Sequence, residues 1–154
     1  MQACEFSISS GTIRGMTNGQ QGQVVLALHG FLDNAASMAC LAPSMSRDQY
    51  IAIDLPGHGL SDHRPPGAHY NQMDYIQDLH ELVVSEDWQD VVIVGHSMGG
   101  ILASIYAAVF PERVSAIAMI DACGPLTLPP ETSSEQLRTS ILSRMPKPGR
   151  TGSP

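Results

Sequence analysis

The stretch Gly95-His96-Ser97-Met98-Gly99 joins two patterns that meet abruptly. The apolar run Val91 to Val94 reads as a buried strand. Met98, Ile101, Leu102, Ile105, Tyr106 and Val109 then recur at helical spacing. A strand that enters a helix through one residue forces that residue into a strained backbone. Side chains two positions before and after it must then be nearly absent, and Gly95 and Gly99 meet that demand. Ser97 is thrust out at the sheet edge above a helix N-terminus, where free N–H groups favour negative charge. The chemistry this suits is nucleophilic attack on a carbonyl, with the Met98 N–H as one donor to the oxyanion. A second donor is expected from Leu28-His29-Gly30-Phe31. Gly30 lets the chain turn, and the Phe31 N–H can point back at the reacting group. His29 reads as a structural residue of that turn and His96 as a packed neighbour of the nucleophile.

The elements that must position these residues alternate. Residues 3–17 read as two short strands. Val24–Leu28 and Tyr50–Ile53 are short apolar strands, and Asn34 to Met45 is a helix behind a cap at Asp33 or Asn34. Met73, Ile76, Leu79, Leu82 and Val83 fall on one helix face. Pro111 ends the helix after Ser97, and Val114–Ile120 is a further strand. Glu131 to Met145 reads as one more helix. Strands apolar on both faces, alternating with helices, imply a mostly parallel sheet flanked by helices, of about six strands. Reactive groups in such sheets gather beyond the carboxyl ends of the strands. His29-Gly30-Phe31, Asp54 to Ser61 and Gly95-His96-Ser97 all lie at such ends.

Three motifs carry a family resemblance: LALHGFLDN, IDLPGHGLSD and VGHSMGG, in that order. With them the chain resembles the N-terminal part of the α/β-hydrolase superfamily, over roughly residues 1–130. HGFLDN and GHGLSDH are especially similar to the serine hydrolase-like proteins, a subgroup with poorly defined substrates. The resemblance implies Ser97 as nucleophile and the Phe31 and Met98 N–H groups as oxyanion hole, with His29, Gly30, Gly95, His96 and Gly99 as supports. It implies a structural turn at Asp54 and Pro56-Gly57-His58-Gly59. In some members the catalytic acid follows the strand that Val114–Ile120 matches, which makes Asp121 a candidate acid. The family's chain order is Ser, then Asp or Glu, then His. No histidine follows His96 in this sequence. The chain therefore reads as a truncated α/β-hydrolase fold, from a truncated or frameshifted gene or as the N-terminal half alone, with the last two strands missing and Val114–Ile120 left as an edge.

The remaining features set bounds. A net charge of −7 and the absence of a basic cluster argue against nucleic acid or an anionic membrane as partner. Three scattered cysteines suit reduced thiols and a cytoplasmic setting. No apolar run reaches the ~18 residues of a membrane span. No metal or organic cofactor is implied. The eight methionines read as core filler, with Met38, Met45 and Met98 also placed to line an acyl pocket. Cys123 reads as an inert buried thiol, and His63, His69 and His80 as surface residues. The layout expected is a hydrolase core over 1–130, the start of a cap helix over 131–145 and a disordered tail over 146–154. The expected function is hydrolysis of ester-like acyl bonds on a small-molecule substrate through an acyl-enzyme, weak or absent in this chain for want of a histidine base. The alternatives are a C–C hydrolase or lactonase on the same scaffold, and a non-catalytic fragment that binds small apolar ligands or a partner. The open sheet edge gives a route to self-association.

Overall fold

The computed structural model describes residues 1–122 and 130–144. The first strands, β1 (Gln2–Ile8) and β2 (Gly11–Thr17), pair antiparallel as a hairpin. β3 (Val24–Leu28), β4 (Gln49–Ile53), β5 (Val91–His96) and β6 (Val114–Ile120) run parallel to one another. The six strands lie in the order β1-β2-β4-β3-β5-β6. β3 is therefore central, and all of its residues are buried. Its two faces feed different cores. Leu26 and Leu28 join Ile51, Ile53 and Ile93 in one cluster, while Val25 and Ala27 join Tyr50, Ala52 and Val94 in the other. This two-residue alternation is what a pleated strand buried on both sides produces.

The larger cluster is covered by α2 (Gln72–Ser85) and α3 (Met98–Val109) through Tyr75, Leu79, Leu82, Leu102 and Tyr106. The smaller is covered by α1 (Ala35–Met38) and the 3-10 helix Ala39–Met45. The sequence predicts one helix over Asn34–Met45, and the α-helical part proves much shorter. Pro43 is the physical reason: it has no N–H to donate and its ring crowds the carbonyl four residues back, so the chain tightens into 3-10 turns. Asn34, not Asp33, is the cap, its Oδ1 accepting the Ala36 N–H at 3.0 Å.

Met73 also departs from expectation. It is exposed, because the buried stripe of α2 is centred on Leu79 and Met73 lies on the far side of the helix. His80 is not a surface residue either. It is half-buried, stacked on Phe110 with ring centroids 3.8 Å apart, and shares a hydrogen bond with the Tyr106 hydroxyl. His63 and His69 are exposed, as predicted.

The loop from β4 to α2 is fixed by a buried ion pair. Arg64 binds the Asp78 carboxylate, which also accepts the Ser10 hydroxyl at 2.8 Å. β6 ends the sheet and has no neighbour on its outer side among the described residues. Ile117, Met119 and Ile120 are exposed on it. The second unit, residues 125–154, contributes α4 (Pro130–Arg144), close to the helix expected from Glu131. Cys123, Met145 and the segment 146–154 lie outside the described residues. No helix among the described residues is long and apolar enough to cross a membrane.

Candidate active site

Ser97 sits between β5 and α3 with φ 50° and ψ −113°. A residue with a Cβ pays about 1–3 kcal/mol for such a conformation, so the surrounding chain must enforce it. Three contacts do. The Ser97 N–H donates to the Ile120 carbonyl at 3.0 Å, extending the β5–β6 ladder into the turn. The Ser97 carbonyl accepts from Gly100 and Ile101 at 3.0 and 3.1 Å, which starts α3. The glycines then let the strand and helix cross. A Cβ on Gly95 would lie 2.3 Å from the Gly99 carbonyl carbon, and one on Gly99 would lie 2.3 Å from the Leu28 oxygen.

Gly100 belongs to the same crossing, and sequence reasoning missed it. Its Cβ would meet Ala122 at 2.7 Å and the Gly95 oxygen at 3.0 Å. The doubled glycine after Met98 is the signal that could have found it. Because the strain at Ser97 is backbone strain, Ser97→Gly is expected to gain about 1 kcal/mol over Ser97→Ala. Urea unfolding of the two variants checks this, and equal midpoints would mean that the turn is unstrained.

The Ser97 N–H is committed to the sheet. The Met98 N–H stands in the first turn of α3, where it has no acceptor within the helix. The other predicted donor, Phe31, follows β3, whose Leu28 is in register with Gly95 of β5. Gly30 is wedged against Ser97: a Cβ on it would lie 3.4 Å from the Ser97 Cβ and 3.0 Å from His96 Nδ1. The loop after β3 and the turn at Ser97 are thus brought together. The Phe31 side chain is largely exposed, and its ring stands edge-on to His58 at 6.0 Å.

His29 is fully buried, with Nδ1 2.7 Å from the Gly30 oxygen and Nε2 3.0 Å from the Leu55 nitrogen. Burial holds its pKa below the ordinary histidine value. Asp54 has a structural place. Its two carboxylate oxygens accept the Ala35 N–H at 2.6 Å and the Leu60 N–H at 2.8 Å, tying the start of α1 to the turn after β4. Asp33 lines a cavity of about 370 Å³ with Ser37, Met38, Cys40, Leu41, His96 and Ile120. Of the three methionines suggested for an acyl pocket, only Met38 reaches that cavity. Hydrogen bonds from Ser37 and the Asn34 N–H hold the Asp33 carboxyl below the usual range.

Asp121 follows β6 directly. Ile120 is in register with His96, so Asp121 and Ser97 end adjacent strands side by side. Asp121 also has a positive φ, 51°, and is exposed. Each of the six histidines lies at position 96 or earlier.

A family model described as the alpha/beta hydrolase fold matches residues 23–148. The chain belongs to the α/β-hydrolase family. Among α/β-hydrolase relatives, the serine hydrolase-like protein of Danio rerio is 40% identical over 116 residues, covering 74% of this chain and 36% of that protein. The human serine hydrolase-like protein is 38% identical over 120 residues, covering 77% and 58%. The chain therefore spans only part of the length of these relatives. A solved hypothetical protein from Pseudomonas aeruginosa superposes with a TM-score of 0.86 at 32% identity, over 94% of this chain and 51% of that one. The thioesterase domain from the curacin biosynthetic pathway gives 0.81 at 25% identity, over 97% and 53%.

Proposed function

We propose that this chain carries the nucleophile and oxyanion half of a serine hydrolase acting on ester-like acyl bonds. The observation that supports the reading most is the enforced backbone of Ser97. A chain that holds a strained serine between three close-packed glycines maintains a conformation that a simple turn does not need. In the reaction, Ser97 Oγ forms a bond to the acyl carbon and gives its proton to a base. The carbonyl π pair moves onto oxygen, facing the Met98 and Phe31 N–H groups. The tetrahedral centre collapses, the bond to the leaving oxygen breaks, and that oxygen takes the proton from the base. Water then repeats the sequence on the acyl-enzyme and restores Ser97. The base in this proposal is a histidine from outside the 154 residues, since none follows the nucleophile. Without it the serine is a weak nucleophile, and the oxyanion hole alone leaves only residual catalysis.

The test is labelling of the purified chain with a fluorophosphonate, read by intact mass. Oγ would bond to phosphorus, fluoride would leave, and the Oγ proton would pass to base or solvent. Slow labelling of the folded chain that disappears in Ser97→Ala is the expected result. A folded chain that takes no label during prolonged exposure, or that is labelled equally in Ser97→Ala, would overturn the proposal.

A further inference from the structure

We infer that the cavity lined by Asp33, His96 and Ile120 receives the substrate's side chain, and that Asp33 makes it select a short aliphatic chain bearing positive charge; the inference rests on the role proposed above for Ser97. The cavity adjoins that serine on two sides. His96 precedes Ser97 in β5, and the Ile120 carbonyl accepts the Ser97 N–H at 3.0 Å. The Asp33 N–H donates to the Gly30 carbonyl at 3.3 Å, and a Cβ on Gly30 would lie 3.4 Å from the Ser97 Cβ. A chain attached to a carbonyl held at Ser97 therefore has this space within reach.

Size sets the first limit on what enters. The cavity holds about 370 Å³, near the lower end of the ~300–1,000 Å³ usual for small-molecule sites. It suits a short group rather than a lipid tail or a peptide. Met38 and Leu41 from the α1 side and Ile120 from β6 make its walls largely apolar. Met38 is buried, and its unbranched thioether can follow the outline of different aliphatic groups.

Asp33 sets the second limit, through charge. Its Oδ1 accepts the Asn34 N–H at 2.9 Å. With Ser37, that bond keeps the carboxyl below its usual range, so it is an anion at neutral pH. It takes part in no ion pair among the described residues, where Arg14 binds Glu5 and Asp62 and Arg64 binds Asp78. The imidazoles of His29 and His96 act on it electrostatically, and burial opposes the charged form of His29. A carboxylate without a fixed cation, set in an apolar wall, complements a cationic chain and repels an anionic one.

The experiment compares three fluorophosphonates whose alkyl chains are alike except at the end, which is trimethylammonium, its uncharged isostere tert-butyl, or carboxylate. In the wild type the cationic probe is expected to label Ser97 about threefold faster than the neutral one and about 10-fold faster than the anionic one. In Asp33→Asn, which keeps the shape, the three rates should converge. At physiological salt charges beyond about 8 Å are screened, so the net charge of −7 does not by itself produce such a preference. Equal rates in the wild type, or a preference that survives in folded Asp33→Asn, would overturn the inference. If no probe labels the wild type, the reading of Ser97 fails, and an NMR titration of the same chain decides the cavity. Butyltrimethylammonium should shift the Asp33, Leu41 and Ile120 amides saturably, and butyrate should not. Shifts that are absent, or equal for the two ions, would refute the charge selection. If Asp33→Asn does not fold, the wild-type rates and the titration decide it.

Discussion

Gly99→Ala is expected to destabilise the chain by about 3 kcal/mol or more, against a total that is about 5–15 kcal/mol for a typical domain. The added methyl would lie 2.3 Å from the Leu28 oxygen, 2.7 Å from the Leu28 carbonyl carbon and 2.8 Å from the His29 oxygen. All three are main-chain atoms at the end of the central strand, and none can rotate away. Relief would require β3 and α3 to separate, which would open the core around Leu102 and withdraw Gly30 from Ser97. Gly100→Ala is the informative control. Its methyl meets the Ala122 side chain at 2.7 Å as well as the Gly95 oxygen at 3.0 Å. Ala122→Gly should therefore return much of what Gly100→Ala loses and nothing of what Gly99→Ala loses. Urea midpoints of the wild type, the three single variants and the two alanine variants combined with Ala122→Gly make the comparison, and a Gly99→Ala midpoint equal to wild type would refute the close crossing.

Arg64→Met should cost about 3–5 kcal/mol at neutral pH, the usual penalty for leaving a buried charge without its partner. The Asp78 and Arg64 side chains are only 5% and 12% exposed. Once Arg64 is gone, Asp78 keeps the Ser10 hydroxyl and little else. Burial already raises the Asp78 carboxyl above 3.8 in the wild type, and losing the guanidinium raises it further. The sign follows. The native state takes up a proton before the unfolded chain does, so this contribution to stability is complete below about 3.8 and is lost as the pH rises through the raised native value. The deficit of Arg64→Met should be largest at neutral pH and should narrow as the pH falls. Replacing both partners, as in Arg64→Met with Asp78→Leu, should recover most of the loss, since Arg64 Nε is buried without a hydrogen bond in the wild type. A deficit that does not change with pH would mean the cost comes from lost packing against Tyr70, whose ring centre lies 5.6 Å from Arg64 Cζ.

The elbow was legible in the sequence because its signals are local. Glycines at fixed offsets from Ser97, a strand before and a helical stripe after it all fall within one short stretch. The alternation of apolar strands and helices likewise gave the parallel sheet and its edge strand β6. What the sequence hid depends on pairing across the fold. Leu55 reaches His29 only because β4 lies beside β3, so no spacing announces that both imidazole nitrogens are engaged. Arg64 and Asp78 are residue types that read as solvated, and their burial follows from how the loop after β4 folds onto α2. His80 was hidden for the same reason: its stacking partner Phe110 belongs to another element. The short α1 was different, since Pro43 was visible in the sequence and marks where an α-helix cannot continue.

The sheet order has a kinetic consequence. β3 lies between β4 and β5, so Leu28 and Gly95, 67 positions apart by subtraction of their numbers, become neighbours only when β5 docks against β3. Closing a loop of that length is entropically costly and slow relative to forming α2 or the β1–β2 hairpin. Gly99 seats against the Leu28 carbonyl, so the elbow cannot close before that docking. Strain at Ser97 is thus loaded only after the long-range pairing that sustains it. Intermediates that lack the pairing keep a relaxed serine far from the Phe31 loop, so the appearance of the strained backbone at Ser97 would mark the end of folding.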